Sequence, residues 1–152
     1  MGRSSQAIRY GMPLVAALLL SSCAMFAPRY DPTLDQKTSD AFEIVARFAA
    51  NAELGNYADK ASYGDAAPQY AEARAKLAVA EIRAQGLPVQ GERAATARDR
   101  LVSFIKGCGD RLTSFATQHR KFGIQPDSGT PQSMMTSCDQ AARAAQAMKP
   151  GN

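Results

Sequence analysis

The chain has 152 residues with 18 basic and 14 acidic side chains, which give a formal net charge of +4. A hydrophobic fraction of 45% is ordinary for a globular protein and excludes a chain that is disordered throughout. The single histidine excludes metal sites built from several histidines. The length predicts one domain.

The first 22 residues have the pattern of a secretory signal. Arg3 and Arg9 supply positive charge, and an apolar run follows over residues 12–20. At about 1.5 Å per residue, a helix of this run would reach only ~14 Å, whereas a bilayer's hydrocarbon core is ~30 Å thick. The pattern therefore predicts a signal peptide over 1–22 rather than a membrane-spanning helix.

The signal ends in an aliphatic residue, two small residues and a cysteine, Leu20-Ser21-Ser22-Cys23. This motif resembles the lipobox of bacterial lipoproteins, in which small residues fit the peptidase cleft and the cysteine thiol accepts a diacylglycerol. The resemblance implies cleavage before Cys23 and a covalent lipid on that residue. No other cofactor and no metal is expected.

The residue that follows the lipobox bears on the choice of membrane. Because Ala24 rather than an aspartate stands there, the resemblance implies a lipid anchor in the outer membrane, on its periplasmic face. Residues 23–32 are then the lipidated N-terminus and tether, and residues 33–152 form a single helical periplasmic domain. The body that follows the signal resembles uncharacterised small Ala-rich helical periplasmic lipoproteins of Gram-negative bacteria.

Cleavage also changes the charge of the protein. It would remove two of the 18 basic side chains and no acidic one, which leaves 16 against 14 and a net charge of +2. A nucleic-acid partner loses its electrostatic support at this charge, so none is predicted.

Two cysteines remain after lipidation, Cys108 and Cys138. The oxidising periplasm favours a disulfide between them, and two thiols allow only one connectivity. The chain contains no Cys-x-x-Cys motif, which argues against thioredoxin-like chemistry and c-type haem attachment.

The body of the chain is predicted to be all-α. Alanine supplies 26 of the 130 residues after the signal, whereas valine and isoleucine together supply eight, and this balance favours helices over strands. Apolar residues at helical spacing, interrupted by Gly and Pro, predict an up-down bundle of about four helices. The predicted ranges are 33–54, 66–85, 92–122 and 131–148.

Details at three places of the bundle are also predicted. Thr33 and Gln36 fit a capping box at the first helix, and Asp65 is expected to cap the second. Gly107 and Gly109 flank Cys108, and we expect them to permit close approach of the partner helix. A kink in the third helix is the alternative.

His119 is the one histidine and lies near the C-terminal end of the third helix. A cationic histidine is favoured there by the helix dipole, so a structural role is predicted. A general base is the first alternative. A metal or haem site with Met134, Met135 and Cys138 is the second.

Two groups of residues are candidates for partner contact. Tyr57, Tyr63 and Tyr70 surround the predicted first loop, and tyrosine combines a large contact area with one polar tip. Arg93 and Arg100 lie on a basic edge of the third helix, which suits anionic headgroups or an acidic partner. The alternatives are packing over the end of the bundle for the tyrosines and a solvated face for the arginines.

The function predicted from these features is not enzymatic. The sequence has no Gly-rich phosphate loop, no Gly-x-Ser-x-Gly and no His-Glu-x-x-His motif. It predicts a membrane-anchored envelope protein-interaction module, such as an adaptor, an assembly accessory or an inhibitor. A helical bundle that binds a small ligand, a metal or haem is the alternative.

Overall fold

Four α-helices and one short 3-10 helix make up the regular structure of residues 28–149, the part of the chain that the computed structural model describes. The α-helices are α1 (Pro32–Glu53), α2 (Tyr63–Gln85), α3 (Glu92–Phe122) and α4 (Thr130–Gln146), and the 3-10 helix is Lys60–Ser62. The predicted signal peptide and lipobox, with Cys23, lie outside the described residues. Between residues 28 and 149, no helix combines the length and hydrophobicity needed to cross a membrane.

Each helix packs against two neighbours, as in a square bundle. Helix α1 packs against α2 and α4, and α3 packs against the same two helices. Short connections make consecutive helices antiparallel. The contact face of α2 is built on small residues at mostly heptad spacing, Ala66, Ala73, Ala80 and Ala84. The predicted all-α up-down bundle is confirmed.

The start of α1 differs from the predicted capping box. The Asp31 carboxylate caps the helix, because its Oδ1 accepts from the backbone N–H groups of Thr33 at 2.8 Å and Leu34 at 3.0 Å. Pro32 then occupies the first turn, where its missing N–H costs nothing. The prediction that Thr33 caps this helix is therefore wrong, and the helix begins one residue earlier.

Helix α2 begins at Tyr63, three residues before the predicted start. The 3-10 helix leads directly into it and is capped by Asp59, whose carboxylate accepts from Ala61 N–H at 2.9 Å. Asp65 therefore lies in the first turn of α2, and the prediction that it caps the helix is wrong. Helix α3 has the predicted bounds, and α1 and α4 end one and two residues early.

The predicted disulfide joins the middle of α3 to α4. Cys108 and Cys138 are both buried, and their Cα atoms are 4.5 Å apart. A Cβ placed on Gly107 or Gly109 would meet nothing within 4 Å, so neither glycine permits the close approach. That expectation was wrong, because the two positions lie beside the interface and not in it.

Candidate functional site

The two ends of the bundle have different structures. Helix α3, with 31 residues, spans about 46 Å between them. We call the end that holds Pro28, the first residues of α3 and the last residues of α4 the groove end. The opposite end, which holds the connections 54–62 and 123–129, is the loop end.

A groove of about 560 Å³ lies at the groove end, between the first turns of α3 and the last turns of α4. Its lining is mostly apolar, and the apolar lining residues are Pro28, Ala97, Leu101, Phe104, Ala144, Ala147 and Met148. Phe104 is 38% exposed, which is high for a large aromatic side chain. The groove therefore leaves apolar surface in contact with water.

Arg93 and Arg100 both line this groove, together with Glu92 and Thr96. Seven residues separate the two arginines, which places them on the same face of α3. Both side chains are exposed. Of the five predicted contact residues, these two are brought together at an open surface.

The three predicted contact tyrosines lie at the loop end, and two of them are buried. Tyr70 stacks on Phe48 with ring centroids 4.2 Å apart, and Tyr57 lies over His119 at 4.6 Å. Tyr63 keeps partial exposure. The alternative in which the tyrosines pack over the end of the bundle therefore describes Tyr57 and Tyr70.

A continuous hydrogen-bond network runs through this aromatic cluster. The Ser62 hydroxyl donates to the Asp59 carbonyl at 2.6 Å, so the Ser62 Oγ must accept from the Nε2–H of His119, 2.8 Å away. The other ring nitrogen, Nδ1, then accepts from the Tyr70 hydroxyl at 2.9 Å. Every group in this network is satisfied when the histidine is neutral.

The expectation of a cationic His119 is corrected by its surroundings. The side chain is 0% exposed, and burial lowers its pKa below the ordinary value. The ring lies among Tyr57, Tyr63 and Tyr70 instead of facing water at the helix end. The neutral ring is held by hydrogen bonds to Ser62 and Tyr70, and a favourable interaction of a cation with the helix dipole does not apply.

Ser62 beside His119 has the order of a nucleophile and its base, with Tyr70 on the far nitrogen. The proton directions are the reverse of what that chemistry requires. The serine donates away from the ring, and the one free ring nitrogen is taken by the Tyr70 hydroxyl. Sequence reasoning missed Ser62 because 57 residues separate it from His119.

Backbone contacts also hold the two connections of the loop end together. The Ile124 N–H donates to the Tyr57 carbonyl at 2.6 Å. Gly123 adopts a φ of +77°, and a Cβ there would collide with the carbonyl of Ala58. The two connections therefore interlock, and only glycine fits at residue 123.

A buried carboxylate at the groove end connects the first and the last part of the described chain. The Asp35 Oδ2 accepts from the Tyr30 hydroxyl at 2.9 Å and pairs with Lys149 Nζ at 3.1 Å. Within residues 28–149 its Oδ1 is buried without a hydrogen-bond partner. Sequence analysis did not single out this cluster, because no motif marks it.

Two of the four residues considered for a metal or haem site are engaged in other bonds. Cys138 is bonded to Cys108, and both nitrogens of His119 are hydrogen-bonded. Across the described range, no group of three or more His, Cys, Asp or Glu side chains is placed to hold a metal ion.

Comparison with protein-family models, with curated proteins and with solved structures finds no significant match. The groove and the interlocked loop end are therefore the features from which function is argued.

Proposed function

We propose that this chain is an outer-membrane lipoprotein, anchored through Cys23, that acts in the periplasm as a non-catalytic protein-interaction module. The observation that carries the proposal is the difference between the two ends of the bundle. Pro28 lines the groove and lies five residues after Cys23, so the lipid would attach at the groove end. The loop end would then point away from the membrane.

The disulfide supports an exported protein. Disulfides form and persist in oxidising compartments such as the periplasm and are rare in the cytosol. The Cys108–Cys138 bond is buried between α3 and α4, where it serves the packing of the bundle. Its position supports a structural bond in an envelope protein.

The loop end offers the surface for a protein partner. Leu54 is 77% exposed and Phe122 is 74% exposed, and each lies next to a glycine of positive φ, Gly55 and Gly123, in the two connections. Large apolar side chains on a rigid backbone suit a binding hot spot, because little freedom is lost on association. Tyr63, the first residue of α2, is also partly exposed at this end.

The two groove arginines would face the membrane in the anchored protein. Arg93 and Arg100 are exposed at the groove end, which also holds Pro28. Each basic side chain near an anionic membrane surface contributes about 1 kcal/mol of attraction. Their predicted partner is accordingly the layer of anionic lipid headgroups, and the protein partner is assigned to the loop end.

Photo-crosslinking in intact cells tests the assignment of the loop end. A photoreactive residue at position 54 or 122 should give one discrete protein adduct. The same residue at position 82 is the matched control, because Ile82 is 69% exposed but lies near the groove end of α2. Equal adducts from all three positions would contradict the proposal.

The anchor is tested on the same cells. Mass spectrometry of the N-terminal peptide should show a diacylated Cys23, and the protein should fractionate with outer membranes. A Cys23→Ala form should lose the lipid, and the adduct at position 54 should weaken with it. An unmodified Cys23 in the wild-type protein would exclude the lipoprotein.

A second candidate function is the binding of a small ligand. The groove volume of about 560 Å³ supports it, because ligand sites commonly measure about 300–1,000 Å³. Native mass spectrometry of the purified protein would then show an added mass that Ala97→Trp removes. A protein of unaltered mass would count against this candidate.

A further inference from the structure

The connection 54–62 covers the loop end of the bundle but buries little of itself. Tyr57 is its only buried residue, and the others are exposed or half-buried. Two of the bonds that hold it in place run from the Ile124 N–H to the Tyr57 carbonyl and from His119 to Ser62. A segment with so few buried contacts can detach at a free energy well below that of global unfolding.

The hydrogen bonds of His119 require the neutral ring. Its Nε2–H donates to the Ser62 hydroxyl, and its Nδ1 accepts from the Tyr70 hydroxyl. A second proton on the ring would occupy Nδ1 and remove the only acceptor that the Tyr70 hydroxyl has within residues 28–149. Because Tyr70 is only 3% exposed, water cannot replace that acceptor unless the packing around the ring opens. Protonation of His119 therefore conflicts with the closed structure.

No negative charge faces the ring within residues 28–149. Its aromatic contacts are all with uncharged side chains, those of Tyr57, Tyr63 and Tyr70. Helix α1 adds the uncharged Phe48, which packs on two of these tyrosines. The acidic side chains of the surrounding elements are all exposed, namely Glu53, Asp59, Asp65 and Asp127. Arg120 and Lys121, which follow on α3, are exposed cations. A protonated ring would be buried without a counter-ion, and burial lowers the pKa of His119 for this reason.

We propose that His119 is a pH switch that releases the connection 54–62 from α3 at acid pH while the helices stay packed. The connection is the part that moves, because the other neighbours of the ring belong to long helices with many buried residues. The disulfide supports the packing of α3 on α4, and Cys108 lies eleven residues from His119, about 16 Å along the helix. Release would displace Leu54 from the proposed partner surface. That consequence rests on the proposed function, whereas the switch itself does not.

Hydrogen exchange of the full-length protein, read by mass spectrometry, tests the switch. Release gives the ring its ordinary pKa near 6.5, so exchange in residues 57–62, corrected for the chemical rate, should rise about tenfold from pH 7.5 to 5.5. His119→Gln is the matched control, because its amide offers a donor and an acceptor but gains no proton, and its corrected exchange should not respond to pH. Residues 101–112 of α3 should keep their protection in both proteins. No rise in the wild type, or an equal rise in His119→Gln or in residues 101–112, would overturn the proposal.

A second measurement uses the unsubstituted protein, because its single histidine gives one set of ring signals in NMR. The ring nitrogens should show the Nε2–H form at pH 7.5, and protonation should coincide with loss of protection at the Ile124 amide, which donates to Tyr57. A ring that titrates while this amide stays protected would overturn the switch.

The partner surface is tested separately, by the photo-crosslink from position 54. The adduct should fall at pH 5.5 in the wild type and persist in His119→Gln. An adduct that persists equally in both would overturn control of the partner surface. No adduct at neutral pH would refute the proposed function, whereas the exchange measurement on the protein alone decides the switch.

Discussion

The two ends of this bundle differ in how completely contacts within the chain satisfy their polar and apolar groups. At the loop end, the hydrogen bonds of Ser62, Tyr70 and His119 satisfy one another, and the backbones of the two connections interlock. At the groove end, apolar side chains face a groove of about 560 Å³, and one oxygen of Asp35 is buried without a partner among residues 28–149. The buried groups of the loop end are thus satisfied by contacts within the chain, whereas the groove end leaves apolar surface and one buried oxygen without such contacts.

The largest expected effect on the free energy of unfolding comes from a substitution at Gly123, in the loop end. Gly123→Ala should lower the free energy of unfolding by about 3 kcal/mol, because it adds a backbone clash to a positive φ. Gly91→Ala is the matched control at the groove end, since Gly91 has a φ of +84° and open space around it. It should cost less, about 1–2 kcal/mol, because only the backbone strain remains. Urea unfolding measures both, and equal losses would show that the loops do not interlock.

The next effect concerns the network around His119. His119→Phe should cost about 2–3 kcal/mol, because it leaves the Tyr70 hydroxyl buried without its acceptor and removes the bond to Ser62. Tyr70→Phe should cost less, about 1 kcal/mol, because only one bond is lost. Chemical denaturation of the two variants tests the order. A larger loss for Tyr70→Phe would contradict the network as described.

These two predictions show what the sequence can and cannot reveal. Apolar spacing with Gly and Pro breaks located the four helices, and the count of thiols identified the disulfide, because both signals are local or depend on counting. The network could not be found in this way, since Ser62 and His119 lie 57 residues apart and meet only in the folded bundle. The charge of His119 was mispredicted for the same reason, because burial outweighs the dipole.

The first residues of the helices were predicted less accurately than the helices themselves, because more than one nearby residue can cap a helix. Asp31 and Thr33 are both good capping residues. In the structure Asp31 caps α1, and its carboxylate also pairs with Arg83 at 2.9 Å. The groove was not predicted at all, because it arises from the relative lengths of α3 and α4. Only the arginines on its lining were singled out.

A pH effect should also separate the two ends. Burial lowers the pKa of His119 in the folded protein, so the unfolded chain, with a pKa near 6.5, binds more protons below that pH. Stability is therefore complete above about pH 6.5 and falls as the pH drops, by up to ~1.4 kcal/mol per pH unit. Urea unfolding between pH 7.5 and 5.5 should show this slope, and it should be smaller in His119→Phe. Identical slopes would contradict a neutral buried ring.

At the groove end, charge should matter for the membrane and not for stability. The combined substitution Arg93→Gln and Arg100→Gln should weaken binding of unlipidated residues 24–152 to vesicles with anionic lipid by about 2 kcal/mol. Unfolding should be almost unchanged. Lys106→Gln on the same helix, outside the groove lining, is the control and should have less effect. Vesicle binding that responds to neither change would contradict the proposed contact between these arginines and the membrane.

The smallest expected effect on stability concerns Gly107, which lies between the two ends of the bundle. Gly107→Ala should raise the free energy of unfolding by about 0.5–1 kcal/mol, because alanine favours the helix and its Cβ meets no neighbour within 4 Å. Thermal unfolding would show an increased Tm. A decrease would restore the close-approach role that was first expected for this glycine.

The disulfide has a consequence for how this protein responds to proteolysis. Cys108 and Cys138 lie on either side of the connection between α3 and α4, whose residues 125–129 are all exposed. A single cut in that connection would leave both fragments covalently joined and still packed in the bundle. The cleaved protein would migrate as an intact chain until a reductant is added, so damage at this exposed connection would not release a fragment of the bundle.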